Sequence, residues 1–141
     1  MTANDSLRQV TIDRTRASHY TVTNARGGTM SIGDGGDAEF TPVELLLAAL
    51  GGCTAIDVDL VTTRRAEPES FQVDVRAVKA NDRQGHHLTD IEVTFKVAFP
   101  DSAGGDAARA VLPDIARQSH DRLCTVSRTV EIGTPVTTRV Q

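Results

Sequence analysis

The chain has 141 residues, of which 39% are hydrophobic and 24% charged, and its formal net charge is −4. This length and composition are typical of one soluble globular domain, spanning residues 1–141. The acidic balance argues against a nucleic-acid partner, because phosphate contacts require a basic face.

Short strands are predicted in the first 40 residues, over residues 8–15, 20–23 and 29–32, where apolar and polar side chains alternate. The glycine-rich segment 33–37 follows as a loop. It lacks the lysine of a phosphate-binding loop, so its glycines are interpreted as turn residues. The opening MTANDSLRQV contains no apolar segment, and no secretory signal is therefore expected.

A long apolar helix is predicted over residues 41–65. Thr41 suits the N-cap, Pro42 the first helical position, and Glu44 completes a capping box with Thr41. Leu, Ile and Val side chains then cover most of the helix circumference, which predicts burial on all sides. The apolar run 43–50 is short and soon followed by acidic residues, so no membrane span is predicted.

Two adjacent glycines, Gly51 and Gly52, precede Cys53 within this helix. Each mid-helix glycine costs about 1 kcal/mol relative to alanine. We therefore expect another part of the backbone, or a substrate, to approach the helix closely at this point.

Two longer strands, over residues 71–79 and 91–99, are predicted after the helix, with a polar hairpin turn at 81–87. Asp106 is predicted to cap a second helix that runs to about Leu123 and that Pro113 kinks or splits. A final strand is expected over residues 129–140. This order of elements predicts an α+β fold with antiparallel sheets around the long helix.

One sheet covers only one face of a helix that is apolar all round. A second copy of the same helix would cover the rest, so the pattern favours a twofold homodimer. The alternative is a monomer in which the second helix and the loops cover the remaining surface.

Cys53 and Cys124 are the first candidates for chemistry, since both stand on helices expected to pack together. A reactive thiol needs a nearby cation or a helix terminus, and a mid-helix position supplies little dipole, so an arginine would be required. The alternative is that both thiols are inert, because free cysteines are often buried as small apolar groups. Without a secretory signal, two cysteines indicate a reducing cytoplasm.

The segment TPVELLLAALGGC, residues 41–53, resembles the cysteine helix of the OsmC/Ohr family of organic hydroperoxide reductases. Cys124 in Cys-Thr-Val-Ser resembles the second cysteine motif of that family, and the order of elements matches over nearly the whole chain. The resemblance implies a thiol peroxidase without cofactor or metal. Cys53 would attack the hydroperoxide and form a sulfenic acid, which Cys124 would convert into a disulfide. A dithiol reductant, either a lipoyl protein or a small thiol, would then restore both thiols of an intertwined dimer.

The family pattern also includes a glutamate ten residues before the reactive cysteine and an arginine early in the chain. Val43 occupies the glutamate position, and Glu44 follows one residue later. Because of this departure, the chain most resembles the less-characterised OsmC-like branch of the family. Arg16 is the best positional match for the arginine, with Arg14 and Arg26 as competitors. The same departure favours an alternative function, a non-catalytic dimer that binds a small apolar molecule in an interface pocket.

The four histidines, His19, His86, His87 and His120, have no metal-site spacing, so no metal ion is expected. His120 lies one helical turn before Cys124, with a surface role as the stronger interpretation. Asp57 follows Cys53 by four residues and is expected to pair with an arginine across the dimer interface, such as Arg16.

Overall fold

The computed structural model of the chain describes residues 6–141 and has an α+β architecture with two small antiparallel sheets. The chain divides into two compact units, and the boundary along the sequence lies between Leu46 and Leu47, within the first helix. The α+β class is thereby confirmed, whereas a single domain over 1–141 stays a prediction. The elements are β1 (Val10–Arg16), β2 (His19–Asn24), β3 (Thr29–Ile32), α1 (Pro42–Thr62), β4 (Ser70–Asp82), β5 (Gly85–Ala98), α2 (Ala103–Gln118) and α3 (Thr125–Ile132).

The first unit contains the three predicted strands, joined as an antiparallel sheet in the order β1-β2-β3. Ile12 pairs with Val22, and Val22 pairs with Met30 on the other side. Every residue of β1 is exposed. The apolar residues Val10 and Ile12 are each 57% exposed. The sheet therefore presents apolar side chains that the described chain does not cover.

Helix α1 begins with the predicted capping box. The Thr41 backbone N–H donates to Glu44 Oε1 at 2.9 Å, and the Glu44 backbone N–H donates to Thr41 Oγ1 at 3.2 Å. Two donors at the helix start are thus satisfied reciprocally. The same bonds hold the pKa of the Glu44 carboxyl below its usual value.

Helix α1 is buried along one face only, so the expectation of burial on all sides is wrong for a single chain. The buried residues are Leu50, Gly51, Thr54, Val58 and Thr62, and from Gly51 onward they recur every three or four residues. The remaining surface includes an exposed stripe formed by Gly52, Ile56 and Leu60, with Ile56 71% and Leu60 58% exposed. We call these three residues the α1 stripe.

By length and composition alone, α1 could also cross a membrane. The prediction of no membrane span, made from the apolar run 43–50, therefore stays a prediction. The helix has 21 residues, and its most apolar 18-residue window has a mean hydropathy of 1.7. Core helices of globular proteins pass the same test, so these two properties do not distinguish the two cases.

Strands β4 and β5 form a long hairpin in the second unit, with Val75 paired to Val93. The strands extend further than predicted, and the turn is only Arg83–Gln84. Asp82 Oδ1 accepts hydrogen bonds from the backbone N–H groups of Gln84 and Gly85, at 2.8 and 3.2 Å, which closes the turn. Because the Asp82 side chain stabilises this tight turn, the strands are joined by two residues and not by the predicted turn over residues 81–87.

Helix α2 is capped by Ser102 rather than by Asp106. The Ser102 side chain accepts from the Gly105 backbone N–H at 3.0 Å, and Asp106 lies in the first turn instead. The helix continues through Pro113, which is exposed, so it is not split there. The interruption comes later, as one π-helical turn over Ser119–Leu123. The Cys124 backbone N–H closes this turn by donating a hydrogen bond to the Ser119 carbonyl at 2.8 Å.

Residues 125–132 form helix α3, so the predicted strand over 129–140 is wrong. Its β-branched residues favour a strand locally, but Cys124 caps the start of the helix and Gly133, with φ of 66°, ends it in the left-handed conformation. Residues 134–141 follow without helix or strand. Capping at both ends overrides the strand propensity of this segment.

Candidate active site

Cys53 and Cys124 lie against each other in the second unit, although they are far apart in the sequence. Cys53 stands in the middle of α1, and Cys124 stands at the junction between the π-helical turn and α3. The two thiols are close enough for each to shift the pKa of the other, and both are free. The predicted meeting of the two cysteine-bearing segments is thus present in the fold.

The two thiols differ in access to solvent. Cys53 is half-buried, whereas Cys124 is 1% exposed. Part of Cys53 is therefore open to an incoming molecule, whereas Cys124 is closed to solvent.

Cys124 is also the N-cap of α3, because its Sγ accepts from the Ser127 backbone N–H at 3.3 Å. Two buried polar residues, Thr54 and Ser127, 6% and 9% exposed, lie near the same sulfur and lower the pKa of its thiol. A backbone N–H donor at a helix start is an environment that favours a thiolate.

The ionisation of the pair follows from these contacts. Burial by itself raises the pKa of Cys124, but the hydrogen bonds from Cys53, Ser127 and Thr54 outweigh it and lower that pKa below its ordinary value. For Cys53, burial raises the pKa above its ordinary value, and the hydrogen bond to Cys124 raises it further. The backbone N–H groups of Val126 and Thr125 oppose this rise.

A cavity of about 350 Å³ lies inside the second unit. Its wall includes Thr54, the residue after Cys53, and Ser127, three residues after Cys124. The apolar part of the wall comes from α1, α2, α3 and β5, and it comprises Leu50, Ile91, Val93, Phe95, Ala116 and Val130. Arg117, His120 and Glu131 complete the wall with charge. Such a lining suits a small, mostly apolar molecule with one polar end.

Arg16 lies in the first unit, at the end of β1, and its side chain is 66% exposed. Its guanidinium is 3.5 Å from Asp37 Oδ2, and His19 Nε2 is 2.7 Å from the same oxygen. Hydrogen bonds from His19 to the Ala17 carbonyl and to the Asp37 carboxylate raise the pKa of His19, and the bond with His19 lowers the pKa of Asp37. A role for Arg16, Arg14 or Arg26 beside Cys53 stays a prediction.

Three other candidates have hydrogen-bond or ion-pair partners of their own. Glu44 is engaged in the capping box, and its catalytic role stays a prediction. Asp57 accepts a hydrogen bond from Ser119 Oγ at 2.7 Å, where an arginine was expected. His120 is exposed and paired with Glu131, in agreement with a surface role. Within residues 6–141, no group of three or more His, Cys, Asp or Glu side chains is placed to hold a metal ion.

Sequence reasoning missed Thr54, Ser119 and Ser127. Ser127 is three residues after Cys124, the spacing between an N-cap and its hydrogen-bonded N–H, so a search for helix caps that admitted cysteine would have found it. Thr54 and Ser119 carry no such local signal, because their partners come from distant parts of the chain.

A family of sequences described as "OsmC-like protein" matches residues 33–139, which is most of the chain and includes both cysteines. The chain belongs to the OsmC-like family. An uncharacterized protein of Mycobacterium tuberculosis is 28% identical over 135 residues, covering 95% of this chain and 96% of the relative.

Solved OsmC-like structures have the same fold. An OsmC-like protein of unknown function from Vibrio cholerae superimposes with a TM-score of 0.73 at 16% identity, over 89% of this chain and 94% of that one. The organic hydroperoxide resistance protein OhrB of Bacillus subtilis superimposes with a TM-score of 0.54 at 19% identity, over 88% and 90%. A protein named for hydroperoxide resistance thus shares this fold.

Proposed function

We propose that this OsmC-like protein is a thiol-dependent peroxidase that reduces organic hydroperoxides. The observation that carries the proposal is the contact between a half-buried Cys53 and a buried Cys124. One thiol is open to a substrate, and the other is placed to react only with the first. The name of the Bacillus subtilis structural relative adds support for this substrate class.

The reaction follows from the order of the two sulfurs. The Cys53 thiolate attacks the O–O bond of the hydroperoxide, takes one oxygen as a sulfenic acid and releases an alkoxide, which is protonated to the alcohol. Cys124 then attacks the Cys53 sulfur, an S–S bond forms, and the hydroxyl leaves as water. A dithiol, such as a lipoyl protein or a small thiol, reduces the disulfide by exchange and is itself oxidised.

We also propose that the working form is a homodimer joined through α1 and located in the cytoplasm. The α1 stripe and the uncovered apolar residues of β1 support a second copy, since soluble monomers rarely leave large apolar areas exposed. A reaction cycle that depends on a dithiol reductant fits a reducing compartment.

The test is consumption of cumene hydroperoxide in the presence of dithiothreitol or dihydrolipoamide. We expect the wild-type protein to turn over, Cys53→Ser to be inactive, and Cys124→Ser to react once and stop at an oxidised Cys53. Mass spectrometry of the wild-type protein after one equivalent of hydroperoxide should find a Cys53–Cys124 linked peptide. Full turnover by Cys53→Ser would refute the proposal.

A second candidate function, binding of a small apolar molecule without catalysis, is favoured by the cavity beside Thr54 and Ser127. It predicts that an apolar fluorescent probe binds equally to wild-type protein and Cys53→Ser. It also predicts that Val93→Trp, which would fill the cavity, abolishes this binding, and that no variant consumes hydroperoxide.

A further inference from the structure

The π-helical turn Ser119–Leu123 buries the residues at its two ends, Ser119 and Cys124. Ser119 is 0% and Cys124 1% exposed, whereas the residues between them, 120–123, are all exposed. The Cys124 backbone N–H donates to the Ser119 carbonyl, which is the bond from residue i+5 to residue i that defines a π-turn. In a regular α-helix two residues five apart would point about 140° apart around the axis. The π-turn is therefore what allows Ser119 and Cys124 to share one buried face.

A side-chain hydrogen bond joins the first residue of this turn to α1. Ser119 Oγ donates to Asp57 Oδ2 at 2.7 Å. Asp57 follows Cys53 by four residues, so these two residues lie on the same side of α1, about one turn apart. The bond therefore sets where the π-turn lies along the turn of α1 that begins with Cys53, and with it the position of Cys124.

The bond between Ser119 and Asp57 has the properties of a strong contact. A hydroxyl that donates to a carboxylate is roughly twice as strong a hydrogen bond as one between neutral groups. Ser119 is fully buried and Asp57 half-buried, so water competes little for either group.

A disulfide makes strict demands on the segments that it joins. The two Cβ atoms must come within about 3.5–4.5 Å of each other, with a dihedral angle near 90° about the S–S bond. A fixed register between α1 and the π-turn is therefore a condition for rapid bond formation between Cys53 and Cys124.

We propose that Ser119 and Asp57 are positioning residues that hold the π-turn against α1 and thereby present Cys124 to Cys53 for disulfide formation. They act through the backbone, because the Ser119 carbonyl also accepts the Cys124 N–H. The consequence for turnover rests on the proposed peroxidase function, in which Cys124 displaces the hydroxyl from the oxidised Cys53 sulfur and water leaves. The arrangement itself is independent of that function.

The first experiment needs no hydroperoxide and measures the equilibrium of the whole chain with oxidised and reduced glutathione. Cys53 attacks the glutathione disulfide and releases one glutathione thiolate, and Cys124 then attacks the Cys53 sulfur and releases the second. Mass spectrometry after acid quenching gives the fraction of Cys53–Cys124 disulfide and hence the equilibrium constant. Ser119→Ala should lower this constant about tenfold, because a hydrogen bond to a charged group no longer holds Cys124 in place.

Variants of Asp57 test whether the contact, and not either residue alone, is responsible. Asp57→Asn keeps an acceptor oxygen without the charge, so it should lose only about threefold. Asp57→Ala should match Ser119→Ala, and the double variant should lose no more than either single variant. Losses that multiply in the double variant would overturn the proposal. If Asp57→Ala fails to fold by circular dichroism, Asp57→Asn takes its place, and adding it to Ser119→Ala should cause no further loss.

Two controls on α1 separate positioning from general stability. Val58→Ala leaves a cavity at a fully buried position, and Thr62→Val removes a buried hydroxyl that donates to the Val58 carbonyl at 2.9 Å. Both should leave the equilibrium constant unchanged, although Val58→Ala lowers the free energy of unfolding in urea. An equal loss in Val58→Ala and Ser119→Ala, or no loss in Ser119→Ala, would overturn the proposal. So would a wild-type protein that forms no Cys53–Cys124 disulfide in oxidised glutathione.

The second experiment tests the consequence for turnover, with excess cumene hydroperoxide and no reductant. The sulfenic acid on Cys53 either forms the disulfide or is oxidised by a second hydroperoxide to the sulfinic acid. Ser119→Ala should raise the ratio of sulfinic acid to disulfide about tenfold over Val58→Ala, with an unchanged rate for the first oxidation of Cys53. An unchanged ratio would overturn the consequence for turnover. If wild-type protein consumes no hydroperoxide, the peroxidase proposal fails, and the glutathione equilibrium alone decides the role of Ser119 and Asp57.

Discussion

Adding one methyl group to Gly51 should destabilise the cysteine helix, although alanine is the better helix former. A Cβ at Gly51 would lie 2.5 Å from Val75 Cγ2 and 3.4 Å from Val73 Cγ1. Carbon atoms pack at about 3.5–4.0 Å, so a β-branched side chain of β4 would have to move by about 1 Å. Overpacking of this kind costs about 1–3 kcal/mol, against about 1 kcal/mol gained in helix propensity. We expect Gly51→Ala to lower the free energy of unfolding by about 1 kcal/mol.

The neighbouring glycine is the matched control. A Cβ at Gly52 would have no atom within 4 Å in the described chain, so Gly52→Ala should stabilise by about 1 kcal/mol at protein concentrations too low for association. Urea unfolding followed by circular dichroism measures both changes. In a Val75→Ala background the Gly51→Ala penalty should disappear, which a double-mutant cycle quantifies. If Gly51→Ala is as stable as Gly52→Ala, the close approach of β4 to α1 does not limit this position.

Light scattering at micromolar concentration should give about twice 15.1 kDa, and a mass of one chain would refute the dimer. Arg16→Ala should reduce the ionisation constant of Cys53 about tenfold in alkylation–pH profiles, as loss of a nearby cation does. Arg14→Ala and Arg26→Ala are its controls, and an effect of either in place of Arg16→Ala would reassign the arginine. Ser119→Ala should lower the free energy of unfolding in urea by about 2 kcal/mol, because Asp57 loses a hydrogen-bond donor at 2.7 Å. An unchanged free energy of unfolding would show that this contact does not stabilise the fold.

Elements governed by neighbouring residues could be predicted from the sequence. The capping box of Thr41 and Glu44 needs only two residues at the right spacing and the backbone between them. The alternation of apolar and polar residues in β4 and β5 likewise predicted a half-buried hairpin, although the predicted turn was longer than the observed one. Failures occurred where local preference competes with capping. Residues 129–132 carry strand-forming side chains, yet Cys124 and Gly133 delimit a helix there.

The sequence by itself determined the helix that carries Cys53, the strands that flank it and the presence of a second thiol, because periodicity, caps and composition are local properties. It also carried the resemblance that the family match over residues 33–139 confirms. Only the tertiary structure decided that Cys53 and Cys124 are neighbours, that Ser119 pairs with Asp57, and that Val75 limits Gly51. These are contacts between segments far apart in the chain. Their geometry depends on how α1, β4 and α3 pack, which no local pattern of residues specifies.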